Sequence, residues 1–401
     1  MNVLMLWECR PSPYRGVELS GLNILKHLSK RHTIRLIYLD NSETGTYYPD
    51  LEPYCSQIDS VVYKEMSQGR QLLAVARDSL RLRKLFSKYR CFFTPAYSPL
   101  MAELAQQALR RDKYDVIYAS GRVAFYAWPF SVPKVVHPFD CLSCACYKQW
   151  RAAPNASTKA YWHLAYLTNA WTERKILGSF DDCIVVSNEE YEAFKEVLPN
   201  VKYSVVPNGV DIEFYAPSEA SEEWPSLIYV GVLYPYGPNV EAILYFHSQM
   251  YKTLKTRFAD LRLYVVGPRP IEAVRSLARD PSIIVTGFVE DVRPYIARAS
   301  VVIAPFVSGT GIKSKVLEGM AMGKPVVTTS IGVRGINATP GEHLHVADSP
   351  AAFVDRVQEL LDDEAKRSRM GQQAREFVKK YHSWEQVAEN IDHIFQSAQH
   401  R

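Results

Sequence analysis

Short apolar runs rich in valine and isoleucine recur along the whole chain, each separated from the next by a stretch with helical spacing. The first half holds them at 2–7, 34–39, 115–119, 133–136 and 182–186. The second half holds them at 202–206, 226–230, 261–266, 283–286, 300–304 and 325–328. A strand that is apolar on both faces needs cover on both, and intervening helices supply it, so the pattern predicts parallel sheets. Two such series in 401 residues predict an α/β chain of two doubly wound, Rossmann-like domains. The change from one series to the next falls near Pro199–Pro207, which divides the chain into 1–200 and 201–382. From Pro350 the pattern is helical to the end, and Ser383 is placed to cap a last helix reaching Ala398.

Charge is unevenly spread. The net value is +4, yet residues 1–180 hold 24 Lys+Arg against 14 Asp+Glu and the remainder 23 against 29. The first half therefore predicts an anionic partner, a membrane surface or a lipid diphosphate. Nucleic acid is not expected, because no nucleic-acid motif accompanies the charge. The stretch 70–90, RQLLAVARDSLRLRKLFSKYR, sets Arg77, Arg81, Lys84 and Lys88 on one helical face, as an ordinary surface helix or a helix lying on an anionic membrane does. No run approaches the roughly 18 apolar residues of a membrane span. The N-terminus carries Glu8 too early for a signal peptide. Seven scattered cysteines predict reduced thiols and a cytoplasmic protein. The sequons at Asn155 and Asn337 are then read as chance.

One stretch carries more chemistry than the rest. Gly309-Thr310-Gly311-Ile312-Lys313-Ser314-Lys315-Val316-Leu317-Glu318 runs on into GMAMGKPVV, and reads as a glycine turn, a short helix and a buried strand. Two lysines at the start of a helix oppose its macrodipole, which favours anions there. A bound phosphate removes the conflict, since glycine permits close approach and the helix end supplies donors. The plain alternative is that both lysines point into water. GMAMGKP is no phosphate loop of the Walker type, because a spacer residue and the Ser/Thr after the lysine are missing. No G-x-G-x-x-G follows the first strand, so NAD is not expected. His137, Cys141, Cys144 and Cys146 lie close in sequence, but C-x-C spacing at 144–146 does not suit zinc, and no metal is expected.

SFDDCIVVSNEEYEAF, VVPNGVDIEFYAP, IYVGVLYPYGPNVEAILYF, LYVVGPRP, IIVTGFVEDVRPYIARASVVIAPF, GTGIKSKVLEGMAMGKPVVTT and YHSWEQVAENI follow one another in that order. The ordered set resembles the retaining glycosyltransferases of group 1, family four, over nearly the whole length. The GTGIKSKVLEGMAMGKPVV form looks most like a subgroup of sugar transferases of exopolysaccharide assembly. The resemblance implies the GT-B fold, two Rossmann-like domains facing across a cleft, with the helix at 383–401 packing back on the acceptor domain. It implies a nucleotide-sugar donor on the second domain, a glycan or lipid-linked acceptor on the first, retention of configuration and no metal or other cofactor. It further implies a role in cell-surface polysaccharide or glycoconjugate synthesis, with the protein in the cytoplasm or peripheral on the inner face of the membrane. Two departures stand out. Val232 and Gly237 occupy the positions of the family's usual Arg and Lys, and Thr310 that of its first glutamate. Lys313 and Lys315 are the obvious substitutes.

Residue roles follow from the resemblance. Glu318 matches the glutamate that binds the ribose hydroxyls; locally it could instead pair with Lys315. Gly309, Thr310, Gly311, Ile312 and Leu317 line the donor, and Lys313 neutralises the leaving diphosphate. Gly231, Tyr236 and Asn239 line the loop that lost its cations. Val289 meets the base through its backbone, and Asp291 caps the next helix. Gly16 sits in the glycine loop after the first strand, with Arg15 placed to touch an acceptor phosphate. His137 and Asp140 lie where the family faces the sugar, which makes His137 a candidate catalytic residue beside Lys313 and Glu318. Two other readings remain on the same fold: a nucleotide-sugar 2-epimerase, and a catalytically silent binding subunit suggested by the lost cations and glutamate.

Overall fold

The computed structural model describes residues 1–13, 16–40, 49–62, 98–139, 141–218, 221–235, 237–309 and 311–400. They divide into two compact units, Met1–Val206 with Ala388–Arg401, and Pro207–Val387. The stretch 70–90 and the residues Arg15, Asp140, Tyr236 and Thr310 lie outside the described residues.

The first unit is built on strands β1 (Asn2–Trp7), β2 (Thr33–Asp40), β3 (Gln57–Val62), β4 (Val116–Ser120), β5 (Lys134–His137), β6 (Asp182–Val185) and β7 (Tyr203–Val205). They form one parallel sheet in the order β3-β2-β1-β4-β5-β6-β7. The register sets Met5 opposite Leu36 on one side and Tyr118 on the other. Val3 to Trp7 are all buried, as an apolar run covered on both faces must be. The segment 202–206 was expected to open the second series; it is instead the edge strand of the first sheet, paired with β6 through Ile184 and Ser204. β3 was missed, since its polar Gln57, Asp59 and Ser60 hide a strand that lies at the other edge.

The second unit repeats the plan with β8 (Glu223–Val230), β9 (Arg262–Val266), β10 (Ile283–Gly287), β11 (Ala299–Ala304), β12 (Val326–Thr328) and β13 (His345–Val346). Its parallel sheet runs β10-β9-β8-β11-β12-β13. β13, two residues long, carries no pattern a sequence could show. The helices Pro350–Asp362 and Glu364–Tyr381 follow. The last helix, Trp384–Gln399, is capped as expected: the Ser383 hydroxyl accepts from the Gln386 amide at 3.2 Å. From Ala388 this helix is counted with the first unit.

Candidate active site

In each sheet the chain reverses its direction of growth beside the first strand, between β1 and β4 and between β8 and β11. Loops leaving those strand ends diverge, and the crevice between them is where open parallel sheets take ligands. In the second unit the loops at this point are 231–237 and 305–313, the two segments that the sequence singles out. The first of them is held against the end of β9. Gly231 donates to the Val266 carbonyl at 2.9 Å, and a Cβ on Gly267 would meet the Gly231 carbonyl oxygen at 1.9 Å. Gly309 (φ +107) and Gly311 (φ +70) adopt left-handed backbone that glycine tolerates. A Cβ on Gly311 would meet nothing within 4 Å, so its backbone borders open space; one on Gly309 would meet Lys313 Nζ at 3.0 Å and Pro238 at 3.3 Å.

The helix after this loop runs Ser314–Ala321 with Lys313 as its cap residue, and no side chain there accepts from the first-turn N–H groups. The lysines do not point into water. Lys313 is 8% exposed, and its ammonium lies 5.3 Å from the centre of the Phe306 ring, with that of Lys315 at 5.1 Å from the same ring. Lys315 Nζ donates to Asn239 Oδ1 at 2.7 Å, while Asn239 Nδ2 donates to the Val232 carbonyl at 3.0 Å. Asn239, expected to line the donor, thus ties Lys315 to the loop that lacks the family's cations.

Burial pushes the Lys315 ammonium down to about 8; Glu318 opposes the shift and Lys313 adds to it. Lys313 is lowered by burial and then by Arg334. Glu318 is raised by burial, against the pull of Lys315 and a hydrogen bond from Tyr215. Two lysines and one carboxylate therefore share a poorly hydrated place, with the charge of Arg334 adding to the field on Lys313, an arrangement that an added anion relieves. Sequence reasoning missed Arg334 and Tyr215, which lie far from the motif and reach it only through the fold.

Other expected donor residues divide. Gly231 and Ile312 border the loops just described, but the Leu317 side chain is 1% exposed and packs in the core of the second unit, which removes it from any donor surface. Leu317 follows the period of the helix's inner face, with Val316 and Met320. Val289 packs against the same core while its neighbour Phe288 is 72% exposed. Asp291 accepts from the Arg293 amide at 2.9 Å and from its guanidinium, but the cap position of the helix Arg293–Arg298 is Val292, so Asp291 braces the turn before the helix and is not its cap.

In the first unit Gly16 (φ +56) opens the helix Gly16–Leu28, and a Cβ there would meet nothing within 4 Å. His137 ends β5 beside Ser120, at the carboxyl edge of the sheet. It is buried, stacked on Phe139 at 4.0 Å, with Nδ1 3.0 Å from the Tyr118 hydroxyl and Nε2 without a partner. Burial pushes it down to about 3, so the ring is neutral at physiological pH. Glu8, at the crossing between β1 and β4, accepts from the Arg122 amide at 3.1 Å, while its own amide donates to Ser120 Oγ at 2.9 Å. Cys141 caps the helix Leu142–Ala152 and is joined to Cys144 as a disulfide, with Cα atoms 5.3 Å apart across one helical turn. The expectation that all cysteines are reduced thiols fails for this pair. Cys9, Cys55, Cys146 and Cys183 are free. Among the described residues no three His, Cys, Asp or Glu side chains gather as a metal would need.

Residues 14–214 match the sequence profile of Glycosyltransferase Family 4, and 224–363 that of Glycosyl transferases group 1. The chain belongs to Glycosyltransferase Family 4. Among its relatives is a lipopolysaccharide 1,2-N-acetylglucosaminetransferase of Salmonella typhimurium, 24% identical over 62% of this chain and 70% of that protein. A D-inositol 3-phosphate glycosyltransferase of Corynebacterium glutamicum is 27% identical over 56% of this chain and 59% of its own length. Among solved structures, HepE of Anabaena, determined in complex with UDP, superposes with a TM-score of 0.65 at 17% identity, over 99% of this chain and all of that one. Sucrose-phosphate synthase of Thermosynechococcus elongatus superposes with a TM-score of 0.65 at 15% identity, over 99% of both chains. The glycosyltransferase thus has the GT-B fold, and no helix among its described residues is long and apolar enough to cross a membrane.

Proposed function

We propose that the glycosyltransferase moves a sugar from a nucleoside diphosphate donor to a hydroxyl of a glycan or lipid-linked acceptor, with retention of configuration and in cell-surface polysaccharide or glycoconjugate synthesis. The observation that carries this reading is the burial of Lys313 and Lys315 beside Phe306 at an uncapped helix start bordered by open glycine backbone. A diphosphate supplies the missing negative charge. The lysines replace the cations lost at Val232 and Gly237, because Lys315 reaches Asn239 at the end of that same loop. They hold the diphosphate as it leaves, and positive charge in a dry site is worth far more there than in water. Supplied by lysine, that charge requires no metal, so activity is expected to survive chelation.

Glu318, hydrogen-bonded by Tyr215, accepts from the vicinal ribose hydroxyls. In this reading Tyr118 donates to His137 Nδ1, leaving Nε2 to carry a hydrogen toward a sugar hydroxyl. A neutral ring of so low a pKa orients and does not serve as the general base. The leaving phosphate then takes the acceptor's proton on the same face. None of the matches favours a 2-epimerase or a silent subunit.

The test compares UDP, GDP and inorganic pyrophosphate by calorimetric titration. Glu318→Ala is expected to weaken the nucleotides about tenfold or more while leaving pyrophosphate unchanged, whereas Lys313→Ala weakens all of them. Equal retention of nucleotide affinity by both variants contradicts the assignment.

A further inference from the structure

The helix Ala156–Leu177 has apolar side chains on two opposite faces. Ala165, Ala170, Ile176 and Leu177 face the core of the first unit. On the outer side Tyr161 (57% exposed), Leu164 (57%), Leu167 (50%) and Trp171 (55%) recur every three or four residues, a stripe about 15 Å long at 1.5 Å per residue. Four large apolar groups in a row at this exposure are not scattered surface residues; such a stripe marks an interaction site.

The charge around the stripe says what covers it. This helix and Leu142–Ala152, packed beside it through the Trp150–His163 stack at 4.5 Å, expose Lys148, Arg151, Lys159 and Lys175. The only carboxylate in 141–178, Glu173, is 9% exposed and turned inward, where it accepts from the Leu142 amide at 2.8 Å. The Lys175 ammonium lies 5.2 Å from the Trp171 ring, at the end of the stripe. A second copy of this chain would bring four cations against four. A bilayer interface with anionic headgroups accepts both features, taking Leu164 and Leu167 into the acyl boundary, Tyr161 and Trp171 at the headgroup level, and the cations against phosphate. The helix is 22 residues long and does not meet the hydropathy of a span, so it lies along the surface.

We infer that the outer face of Ala156–Leu177 docks the protein on an anionic lipid bilayer. This face is separate from the stretch 70–90, and the inference is independent of the donor site because its readout is lipid binding and not sugar transfer.

The test floats the full chain with phosphatidylcholine vesicles, with and without about one-third phosphatidylglycerol. The wild type is expected to float with the anionic vesicles and not with the neutral ones. Leu164→Ser combined with Trp171→Ser is expected to lower the partition coefficient about tenfold or more, with the melting temperature and UDP affinity retained. Three outcomes overturn the proposal: no flotation of the wild type with anionic vesicles, flotation of the double variant equal to wild type, or a lipid-free dimer in sedimentation velocity that the double variant abolishes.

Discussion

Lys315 sits where its charge is least welcome in the free protein. Its ammonium is held at about 8, below the 10.5 of an ordinary lysine, so between these values the unfolded chain binds more protons than the folded one. The free protein therefore gains stability from this group as pH rises from about 8 toward 10.5, and the cost of burying the charge is fully present below 8. Diphosphate binding needs the ammonium and runs the other way. The rise in melting temperature given by a saturating nucleoside diphosphate is expected to shrink between pH 7 and pH 9; a rise that grows over that range contradicts the linkage. Leu317 supplies the opposite case at the same scale. Leu317→Ala opens a cavity in the second core, and is expected to cost about 2–5 kcal/mol of stability in a denaturant titration. Nucleotide affinity of the folded fraction should stay unchanged. The motif 309–318 was legible because lysine at a helix start contradicts electrostatics in any fold. Arg334, Tyr215 and the role of Asn239 were not, because each acts through a contact between segments far apart in sequence.

At the scale of elements, the loops of the second unit work as a pair. Gly267 lets the loop after β9 lie against Gly231, and its φ of +148 is one that side chains rarely adopt. Gly267→Ala is expected to destabilise the protein by about 1–3 kcal/mol and to weaken nucleotide binding, because it pushes Gly231 and the 231–239 loop away from Lys315. Thermal melts and titration of the same variant check both effects, and a variant that matches wild type in both removes the pairing from the account. Interior strands such as β1, β2 and β11 were readable because burial on both faces makes their sequence uniformly apolar. Edge strands were the ones misread: β3 is half polar, β13 is too short, and β7 looked like the start of the next sheet. An edge strand lacks one neighbour, so its sequence can depart from the uniformly apolar pattern, although β10, also at an edge, keeps its apolar start and is legible at 283–286.

Across the whole molecule, two buried histidines set an acid limit. Burial lowers His137 to about 3 and His345 to about 4 from the ordinary 6.5. Both are neutral when folded and would take protons on unfolding, so the stability they protect is present above 6.5 and is lost as pH falls from 6.5 toward 4. For fully buried His137 the loss amounts to about 2 kcal/mol by pH 5. His137→Phe should flatten that part of the acid slope in urea melts, and an unchanged slope would mean that the ring is already protonated when folded. The central claim is that buried lysines at the start of Ser314–Ala321 hold the donor's diphosphate. Calorimetric titration of Lys315→Met at pH 7, with whichever nucleoside diphosphate most raises the wild-type melting temperature, tests it directly. The account predicts a loss of affinity of about ten- to a hundredfold with no loss of melting temperature in the free protein. Wild-type affinity in that variant would contradict it.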